Sequence, residues 1–436
     1  DLEELEIELI DGGLEEMDVD DEKIELTVPY EDFGKMNELL ESMQIEAESA
    51  ELQRIATSET ALDIDKSKGV LRLIEAMEEL EPGLEVEVLL ARKHRPTSKS
   101  VPGHWQVDVG LPPDYFFYMT PLRFWVSLVQ SVWRTWKSAR RADVVHAIKD
   151  YPHNLVGALA AHYAGKPCVA TAHGTYSVQP LLDARHRSRA YRTYARFASM
   201  ISVSNYTRRR LVELLQGKGS LDPARIEVVP NCVDAPYFVP ERDVTDKPWH
   251  GKRFTLAIGE VKERKGHHLS LPAFLAVAED HPDLHHVLVG RLSDDPYEHD
   301  LRRMVREAGL DERVHFLGNI DEDEKVDLLQ RAEVFVHTPV TAGDGGFEGF
   351  GIVYLEAAAA GTVAIGSLDC GAEDAIRDRE TGLLVEQTVP AVTAALSELL
   401  GDDALRERLA TEARAHAGDN TWHANAEHVL AIYRRV

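Results

Sequence analysis

Two glutamates eight positions apart frame a glycine turn within Phe347–Ala358. The turn opens a predicted helix, so backbone N–H groups and the positive end of the helix dipole can face a diphosphate. Its small residues permit close approach by a ligand. We expect Glu356, on the helix, to accept hydrogen bonds from ribose hydroxyls, and Glu348, on the loop, to lie nearer a sugar. The predicted binding residues of this segment are Gly349, Phe350, Gly351, Ile352, Val353 and Glu356.

The elements that must position this segment alternate between strand and helix. Short apolar runs separated by helical stretches extend from about 82 to 240, and residues 251 to about 415 repeat the design. This pattern predicts two doubly wound α/β domains, with limits of 82–245 and 246–420, and a C-terminal helix over 421–436. Ligands bind such sheets at the carboxyl ends of their strands. The predicted strands are 84–90, 142–147, 167–171, 200–204, 226–229, 254–258, 286–289, 314–317, 334–336 and 363–365.

Several segments of this half resemble glycosyltransferase family 4, whose members are retaining enzymes of the GT-B fold. The resemblance covers roughly residues 82 to 436. It implies a hexosyltransferase that moves a sugar from a nucleoside-diphosphate sugar to a glycan, lipid or small-molecule acceptor in polysaccharide biosynthesis. The segments that carry it are Phe347–Ala358, Gly259–Gly266, Val229–Asp234, Gly371–Asp374 and Thr381–Val385.

The resemblance also implies roles for side chains outside the glycine turn. Arg264 or Lys265 would bind the donor diphosphate, because fixed positive charge stabilises the charge that develops on a leaving group. Many relatives carry an arginine directly after the first glycine of this motif, where this chain has Glu260. The division of labour between Arg264 and Lys265 therefore stays open. His173 would reach the donor sugar across the cleft by hydrogen bonding, which makes His173 and Glu348 the predicted catalytic residues.

Negative charge is concentrated at the start of the chain. The net charge is −27, and residues 1–90 hold 29 acidic and 6 basic residues, a balance of −23. A change this sharp indicates two units of different origin. We predict an acidic α+β unit over residues 1–81, with helices over 2–10, 30–43 and 66–80 and strands over 23–28 and 45–55.

The acidic unit resembles the C-terminal part of the YebC/PmpR family of regulators. The resemblance rests on Glu31–Gly34, Glu48–Leu52 and Val70–Ala76. A surface this acidic would repel the phosphates of nucleic acid. We therefore expect no nucleic-acid partner. A solubilising or natural gene fusion is favoured over an active regulator.

An alternative interpretation makes Glu4–Leu9 the first strand of a nucleotide-binding domain that leads into Gly12 and Gly13 as a phosphate loop. Three glutamates on one side of that strand contradict it, because such strands are buried and nearly all apolar. If the acidic unit is separate, the transferase begins near Pro82 without its usual first strand and glycine loop. We then expect donor binding with slow turnover, and Gly12 and Gly13 far from the cleft.

The segment 121–141 combines aromatic and basic residues with helical spacing. Such a helix can lie on an anionic membrane surface, or it can pack its aromatic face on the sheet. No segment of the sequence approaches a membrane span or a signal peptide, so we expect a cytoplasmic protein. The helix over 121–141 adds the alternative of association with the cytoplasmic face of a membrane.

We predict no catalytic metal and no cofactor other than the donor. The acidic triplets Asp18–Asp20 and Asp321–Asp323 do not follow matching strand ends, and the three cysteines match no zinc or disulfide spacing. Two rival functions share these residues. One is a sugar-nucleotide epimerase, and the other is a regulatory or adaptor protein whose transferase part is catalytically weak.

Overall fold

The computed structural model describes residues 9, 16–20, 23–27, 36, 39–40, 43, 45, 64–91, 106–111, 120–242, 244, 247, 249–343 and 345–436. The chain divides into two compact units, Asp1–Asp63 and Ile64–Val436. In the first unit, strands β1 (Glu16–Asp20) and β2 (Lys23–Thr27) form an antiparallel hairpin. The hairpin confirms the predicted strand 23–28 and places the triplet Asp18–Asp20 within a strand.

Helical residues of the first unit bury a small apolar cluster around Leu9, Met36 and Leu40. The helical state of Leu9 favours the predicted helix over the alternating strand at this position. Gly12, Gly13 and most of the predicted strand 45–55 lie outside the described residues.

The second unit contains the remaining described elements. Its helices are α1 (Ile64–Leu80), α2 (Pro121–Ala139), α3 (His153–Ala164), α4 (Thr175–Leu182), α5 (Arg187–Tyr194), α6 (Asn205–Leu215), α7 (His267–Val277), α8 (Pro296–Ala308), α9 (Glu322–Arg331), α10 (Ile352–Ala360), α11 (Ala372–Ala375), α12 (Val389–Gly401), α13 (Asp403–Asp419) and α14 (Trp422–Arg435). Its strands are β3 (Glu87–Ala91), β4 (Gln106–Leu111), β5 (Val145–Ala147), β6 (Cys168–Ala172), β7 (Ser199–Ser202), β8 (Ile226–Val228), β9 (Arg253–Ile258), β10 (Leu284–Val289), β11 (Val314–Phe316), β12 (Val334–Val336), β13 (Ala364–Ser367) and β14 (Gly382–Val385).

Parallel sheets form the centre of both transferase domains. The C-terminal domain has six strands in the order β11-β10-β9-β12-β13-β14, and the N-terminal domain has four in the order β5-β6-β7-β8. Every recorded pair within these two sheets is parallel. The predicted doubly wound architecture is therefore confirmed, and the loops after the strand ends meet at one edge of each sheet.

The N-terminal domain carries a break in its sheet. Strands β3 and β4 pair with each other in a separate two-stranded sheet, and among the described residues β5 has a strand partner only on its β6 side. A doubly wound sheet normally has a strand on both sides of its centre. This arrangement agrees with a first strand that is missing from the described part of the transferase.

Helix α1 lies in the second unit, whereas the sequence assigned residues 66–80 to the acidic unit 1–81. Its apolar residues Ala76 and Met77 share a cluster with Ala426 and Val429 of α14 and with Val169 of β6. Burial of this apolar face against the transferase explains why the boundary falls at Ile64 and not near Pro82. The C-terminal helix thus covers the N-terminal domain together with α1.

Each strand predicted in the second unit is present within a few residues of its predicted limits. The sequence analysis did not assign β4, although Val107, Val109 and Leu111 alternate there with polar or small residues, or β14, which lies within the motif segment Thr381–Val385. None of the described helices is long and apolar enough to cross a bilayer.

Candidate functional site

Three side chains from separate loops meet at the carboxyl edge of the C-terminal sheet. Lys265 lies in a 3-10 turn after β9, His337 directly follows β12, and Glu348 lies on the loop before α10. Lys265 Nζ is 2.5 Å from Glu348 Oε2, and His337 Nε2 is 3.6 Å from the same oxygen. The parallel arrangement of β9 and β12 brings these distant residues together.

Glu348 is held as a carboxylate. Burial alone favours its neutral form, but the Lys265 ammonium and the His337 ring lower the pKa of Glu348 far below its usual range. Burial also lowers the pKa of His337, whose ring is fully enclosed and stacks near Phe335 and Tyr354. The site therefore presents a fixed anion beside a neutral imidazole.

The Glu348 loop also reaches the N-terminal domain. The Phe347 side chain is buried in the core cluster of that domain, where its ring packs edge-on against Tyr206 with centroids 5.1 Å apart. The Phe347 N–H donates to Thr175 Oγ1 at 2.8 Å, and the Thr175 hydroxyl donates to the Phe347 carbonyl at 2.7 Å. Glu348 is therefore positioned by both domains.

A glycine pair allows the backbones of the two domains to touch. A Cβ on Gly349 would lie 2.0 Å from the His173 carbonyl oxygen, and a Cβ on Gly174 would lie 2.7 Å from Gly349 Cα. Neither distance can accommodate a side chain, so glycine is required by the close approach. The backbone turns that carry His173 and Glu348, the two predicted catalytic residues, therefore lie against each other.

The His173 ring is exposed at this junction. Its Nε2 donates to the Ile148 carbonyl at 2.7 Å, and among the described residues no hydrogen-bond partner is seen for the other ring nitrogen. The Asp150 carboxylate accepts hydrogen bonds from the His173 N–H, at 3.5 Å, and from the Ser177 hydroxyl. Burial raises the pKa of Asp150. Asp150 thus anchors the turn that presents His173.

The Gly371–Asp374 segment adds a second connection between the domains. The Gly371 N–H donates to the Glu348 carbonyl at 2.9 Å. Asp374 accepts from the Asn205 backbone N–H at 3.0 Å and from its side-chain amide at 2.7 Å. The segment that resembled the family motif therefore supports the Glu348 loop.

Glu356 lies on α10, where its carboxylate is paired. Lys325 Nζ is 3.2 Å from Glu356 Oε1 and 3.0 Å from Glu322 Oε1. Although burial disfavours the ammonium, these carboxylates hold the pKa of Lys325 above its usual range. One Glu356 oxygen is thus engaged by Lys325.

The residues between the two glutamates differ in what they can offer a ligand. Gly351 precedes α10 with a positive φ of 82°, and Ile352 begins the helix and is exposed. The Phe350 side chain is buried in the core of the C-terminal domain, and Val353 packs against the same cluster. Because its side chain is buried, Phe350 can offer only its backbone groups to a ligand in the cleft.

The structure separates Arg264 from Lys265. Lys265 is bound to Glu348, whereas no ion pair is recorded for the half-buried Arg264 in the described part of the chain. The Arg264 carbonyl accepts from the Val340 N–H at 3.0 Å, which fixes the turn. Glu260 is neutralised locally, because it forms ion pairs with Lys262 and Arg291.

The acidic triplet Asp321–Asp323 has a structural role at one end. Asp321 caps α9 by accepting the Glu324 N–H at 2.8 Å. Across the described ranges, no group of three or more His, Cys, Asp or Glu side chains could hold a metal ion.

Sequence reasoning missed His337 and Lys325. His337 directly follows a fully buried three-residue strand, and a polar residue at a strand end was the signal that could have revealed it. Lys325 lies within an acidic run of the sequence, so no motif marks its positive charge. Neither Asp150 nor Asn205 belongs to a motif, and only the fold places them beside His173 and Asp374.

Sequence comparison identifies similar proteins for both units. Residues 241–416 match the glycosyl transferases group 1, and residues 67–236 match glycosyltransferase family 4. Residues 1–86 match the second and third domain of TACO1/YebC proteins. Both predicted resemblances are confirmed. Because residues 67–86 match both kinds of protein, the transferase pattern begins in α1, as the packing of that helix also indicates.

Curated relatives cover most of the transferase part. The phosphatidyl-myo-inositol mannosyltransferase of Mycobacterium tuberculosis is 29% identical over 332 residues, which are 75% of this chain and 82% of that protein. The GDP-mannose-dependent alpha-(1-6)-phosphatidylinositol monomannoside mannosyltransferase of Mycolicibacterium smegmatis is 30% identical over 277 residues, which are 62% of this chain and 70% of that protein.

Solved structures share the fold. Sucrose-phosphate synthase from Thermosynechococcus elongatus aligns with a TM-score of 0.65 at 21% identity and covers 85% of this chain and 93% of its own. HepE from Anabaena, in complex with UDP and glucose, aligns with a TM-score of 0.64 at 19% identity and covers 84% of this chain and 96% of its own. These likenesses confirm the predicted GT-B fold.

Proposed function

Because the chain belongs to the group 1 glycosyltransferases of family 4, which makes it a hexosyltransferase, we propose that it moves a hexose from a nucleoside-diphosphate sugar to an acceptor with retention of configuration. The observation that carries this proposal is the position of Glu348. It is fixed by Lys265 beside His337, on a loop that touches the His173 turn of the other domain. Formation of a glycoside together with release of nucleoside diphosphate tests the proposal.

The donor diphosphate would lie between Arg264 and the amino end of α10. The Arg264 guanidinium is available for this role, and the backbone N–H groups after Gly351 add partial positive charge. Lys265 would serve a different purpose, since it orients Glu348 and offsets the negative charge of that carboxylate. This division needs no metal ion to neutralise the leaving group.

Glu348 and His173 would face the sugar from opposite domains. Glu348 accepts hydrogen bonds from sugar hydroxyls, and the free nitrogen of His173 makes a hydrogen bond from the other side. Retention would follow from displacement on one face, in which the departing phosphate helps to deprotonate the acceptor. Neither side chain acts as a base in this scheme.

We expect Glu356→Ala to weaken donor binding by about 1 to 3 kcal/mol, because ribose hydroxyls would lose a buried hydrogen-bond acceptor. Isothermal titration with the nucleoside diphosphate measures the change. Glu322→Ala is the matched control, since Glu322 pairs with the same Lys325 ammonium. An equal loss in both variants would show that the effect passes through Lys325 and would remove the ribose assignment.

The relatives suggest which donor and acceptor to test first. Several are mannosyltransferases named for phosphatidylinositol acceptors, and one is named GDP-mannose-dependent. We therefore propose GDP-mannose and a phosphatidylinositol lipid as the first pair, with UDP-sugars as the next donors and glycans as the next acceptors. Product analysis separates transfer from the rival epimerase, which would yield a rearranged or free sugar and no glycoside.

A lipid acceptor would require contact with a membrane surface, and α2 provides an apolar stripe for it. The inner face of α2 buries Phe124 and Leu128, whereas Trp125, Val129 and Trp133 are at least half exposed. Basic side chains flank the stripe, including Lys137 over the Trp133 ring. This combination suits the interface of an anionic bilayer. It would place the protein at the cytoplasmic face of the membrane.

Val129→Asp should abolish most binding to anionic vesicles, because a charge would enter the apolar stripe. Vesicle flotation measures the bound fraction. Val239→Asp is the control, since Val129 and Val239 are 65% and 66% exposed but lie on different parts of the chain. Flotation that is unaffected by Val129→Asp would rule out this surface.

A further inference from the structure

A basic cavity lies at the edge of the N-terminal sheet opposite to the cleft. Its walls come from the end of α3, from the segment that enters β7 and from the loop that leads towards β8. These segments precede strands, whereas His173 follows the carboxyl end of β6, so the two sites occupy opposite edges of a parallel sheet. The cavity is shallow and open to solvent, and it has a volume of about 390 Å³. It is lined by the partly buried Tyr191 and by six exposed residues, His162, Arg192, Ala195, Arg196, Lys218 and Gly219.

Positive charge dominates this cavity. Arg192, Arg196 and Lys218 line it without any carboxylate. In the described part of the chain no ion pair is recorded for any of the three. The Arg196 guanidinium donates to the Arg192 carbonyl at 2.5 Å, and Arg192 Nε donates to the Ser188 carbonyl at 3.1 Å. Most donors of both guanidinium groups thus remain available to a ligand.

The cluster lies in the part of the chain after residue 90, which holds 46 acidic and 42 basic residues. Like charges brought together without counter-ions repel each other, and a bound anion would relieve that repulsion. Planar guanidinium groups fit phosphate oxygens in a bidentate manner, and a lysine adds a point charge.

The loop beside Lys218 presents its backbone to the same cavity. Gly217 and Gly219 have φ values of 70° and 63°, and a Cβ on either would meet no atom within 4 Å. The Lys218 N–H donates to the Leu215 carbonyl at 3.2 Å, which fixes this loop at the end of α6. The wall opposite is fixed, because the Tyr191 carbonyl accepts the Ser220 hydroxyl at 2.7 Å and the Tyr191 hydroxyl donates to the Leu214 carbonyl at 3.0 Å.

We propose that this cavity binds the phosphate monoester of a second ligand, at a site separate from the donor cleft. Because the cavity is open to solvent, a small polar group attached to the phosphate can project from it. The phosphate can belong to a free phosphorylated metabolite or to a lipid headgroup, and both present the same anion to Arg192, Arg196 and Lys218. The proposal does not depend on the identity of the transferred sugar.

Two probes and a matched pair of variants test this site on the full chain. Inorganic phosphate is titrated by calorimetry, and vesicles of phosphatidylcholine with and without phosphatidic acid are tested by flotation. The cavity variant is Arg192→Gln with Arg196→Gln. The control is Lys252→Gln with Arg306→Gln, which changes the net charge equally at two exposed positions of the other domain. Thermal unfolding of both double variants checks that they fold.

We expect the cavity variant to bind at least one phosphate probe about tenfold more weakly or worse, since two charge-assisted contacts are lost, while the control binds like the parent chain. An effect on inorganic phosphate alone identifies a free metabolite as the source. An additional loss of phosphatidic acid binding, with competition by inorganic phosphate, identifies a lipid headgroup. If both double variants bind both probes equally, the cavity is not a phosphate site.

Discussion

Glu348→Gln should lower the turnover number by about 10²- to 10³-fold at saturating donor, the range found when one preorganised transition-state contact is removed. The amide keeps the shape of the side chain but loses the charge that pairs with Lys265 at 2.5 Å. Lys265 and the buried His337 would then face the sugar site without their anion. Steady-state kinetics with a fixed acceptor measure the change.

Glu263→Gln provides the control for this experiment. Glu263 lies in the same 3-10 turn as Lys265 but is exposed, so its neutralisation should leave turnover nearly unchanged. Binding of the nucleoside diphosphate should also change little in Glu348→Gln, because Arg264 and the amino end of α10 remain intact. Turnover within about threefold of the parent chain would exclude Glu348 from a transition-state role.

Gly349→Ala should reduce turnover by about 100-fold or more, because displacement of reacting groups by about 1 Å is sufficient for such a loss. The new Cβ would lie 2.0 Å from the His173 carbonyl oxygen, so the two domains must separate. Donor binding, which depends mainly on the C-terminal domain, should weaken far less. The kinetic constants and a titration with nucleoside diphosphate distinguish the two effects.

Gly343→Ala is the matched variant on the segment that leads to the same loop. A Cβ on Gly343 would meet no atom within 4 Å, and the substitution should leave both constants unchanged. If Gly349→Ala behaves like Gly343→Ala, the contact between the domains is not needed for catalysis. If it abolishes donor binding as well, the Glu348 loop itself has been displaced.

The donor half of the proposed site could be predicted from the sequence because its residues lie in contiguous motifs. Glu348, the glycine turn and the helix after it lie within one segment, and Arg264 and Lys265 share one short turn. The glycine turn before a helix and the alternation of strands and helices predicted a diphosphate site and two parallel sheets, whereas the roles of Arg264 and Lys265 are implied by the resemblance to the family. The observed strand order β11-β10-β9-β12-β13-β14 explains how these motifs converge.

Other parts of the site could not be predicted, because they arise from packing between distant segments. Nothing in the sequence indicates that Lys265 binds Glu348 while Arg264 does not, or that Phe347 enters the core of the other domain. The packing of α1 could not be predicted for a similar reason. Its acidic composition continues that of the first unit, whereas its position is set by apolar contacts with α14.

The break in the N-terminal sheet bears on the rate of the enzyme. With β5 paired on one side only among the described residues, the usual glycine loop has no counterpart there. The C-terminal domain has a six-stranded parallel sheet and carries the residues proposed to bind the donor nucleotide, whereas His173 of the N-terminal domain is proposed to contact the sugar. We therefore expect donor binding of ordinary strength with slow turnover. Because an inert adaptor could also bind the donor, only the formation of product distinguishes this chain from one.

The most direct test of the proposed function is the anomeric configuration of the product. The chain is incubated with GDP-mannose and phosphatidylinositol vesicles, and then with the other donors and acceptors, while released nucleoside diphosphate is quantified and the glycoside is examined by NMR. We predict slow formation of a glycoside that keeps the anomeric configuration of the donor, in step with the released diphosphate. An inverted glycoside, a rearranged or free sugar without a glycoside, or donor binding with no turnover over the whole acceptor panel would contradict the account.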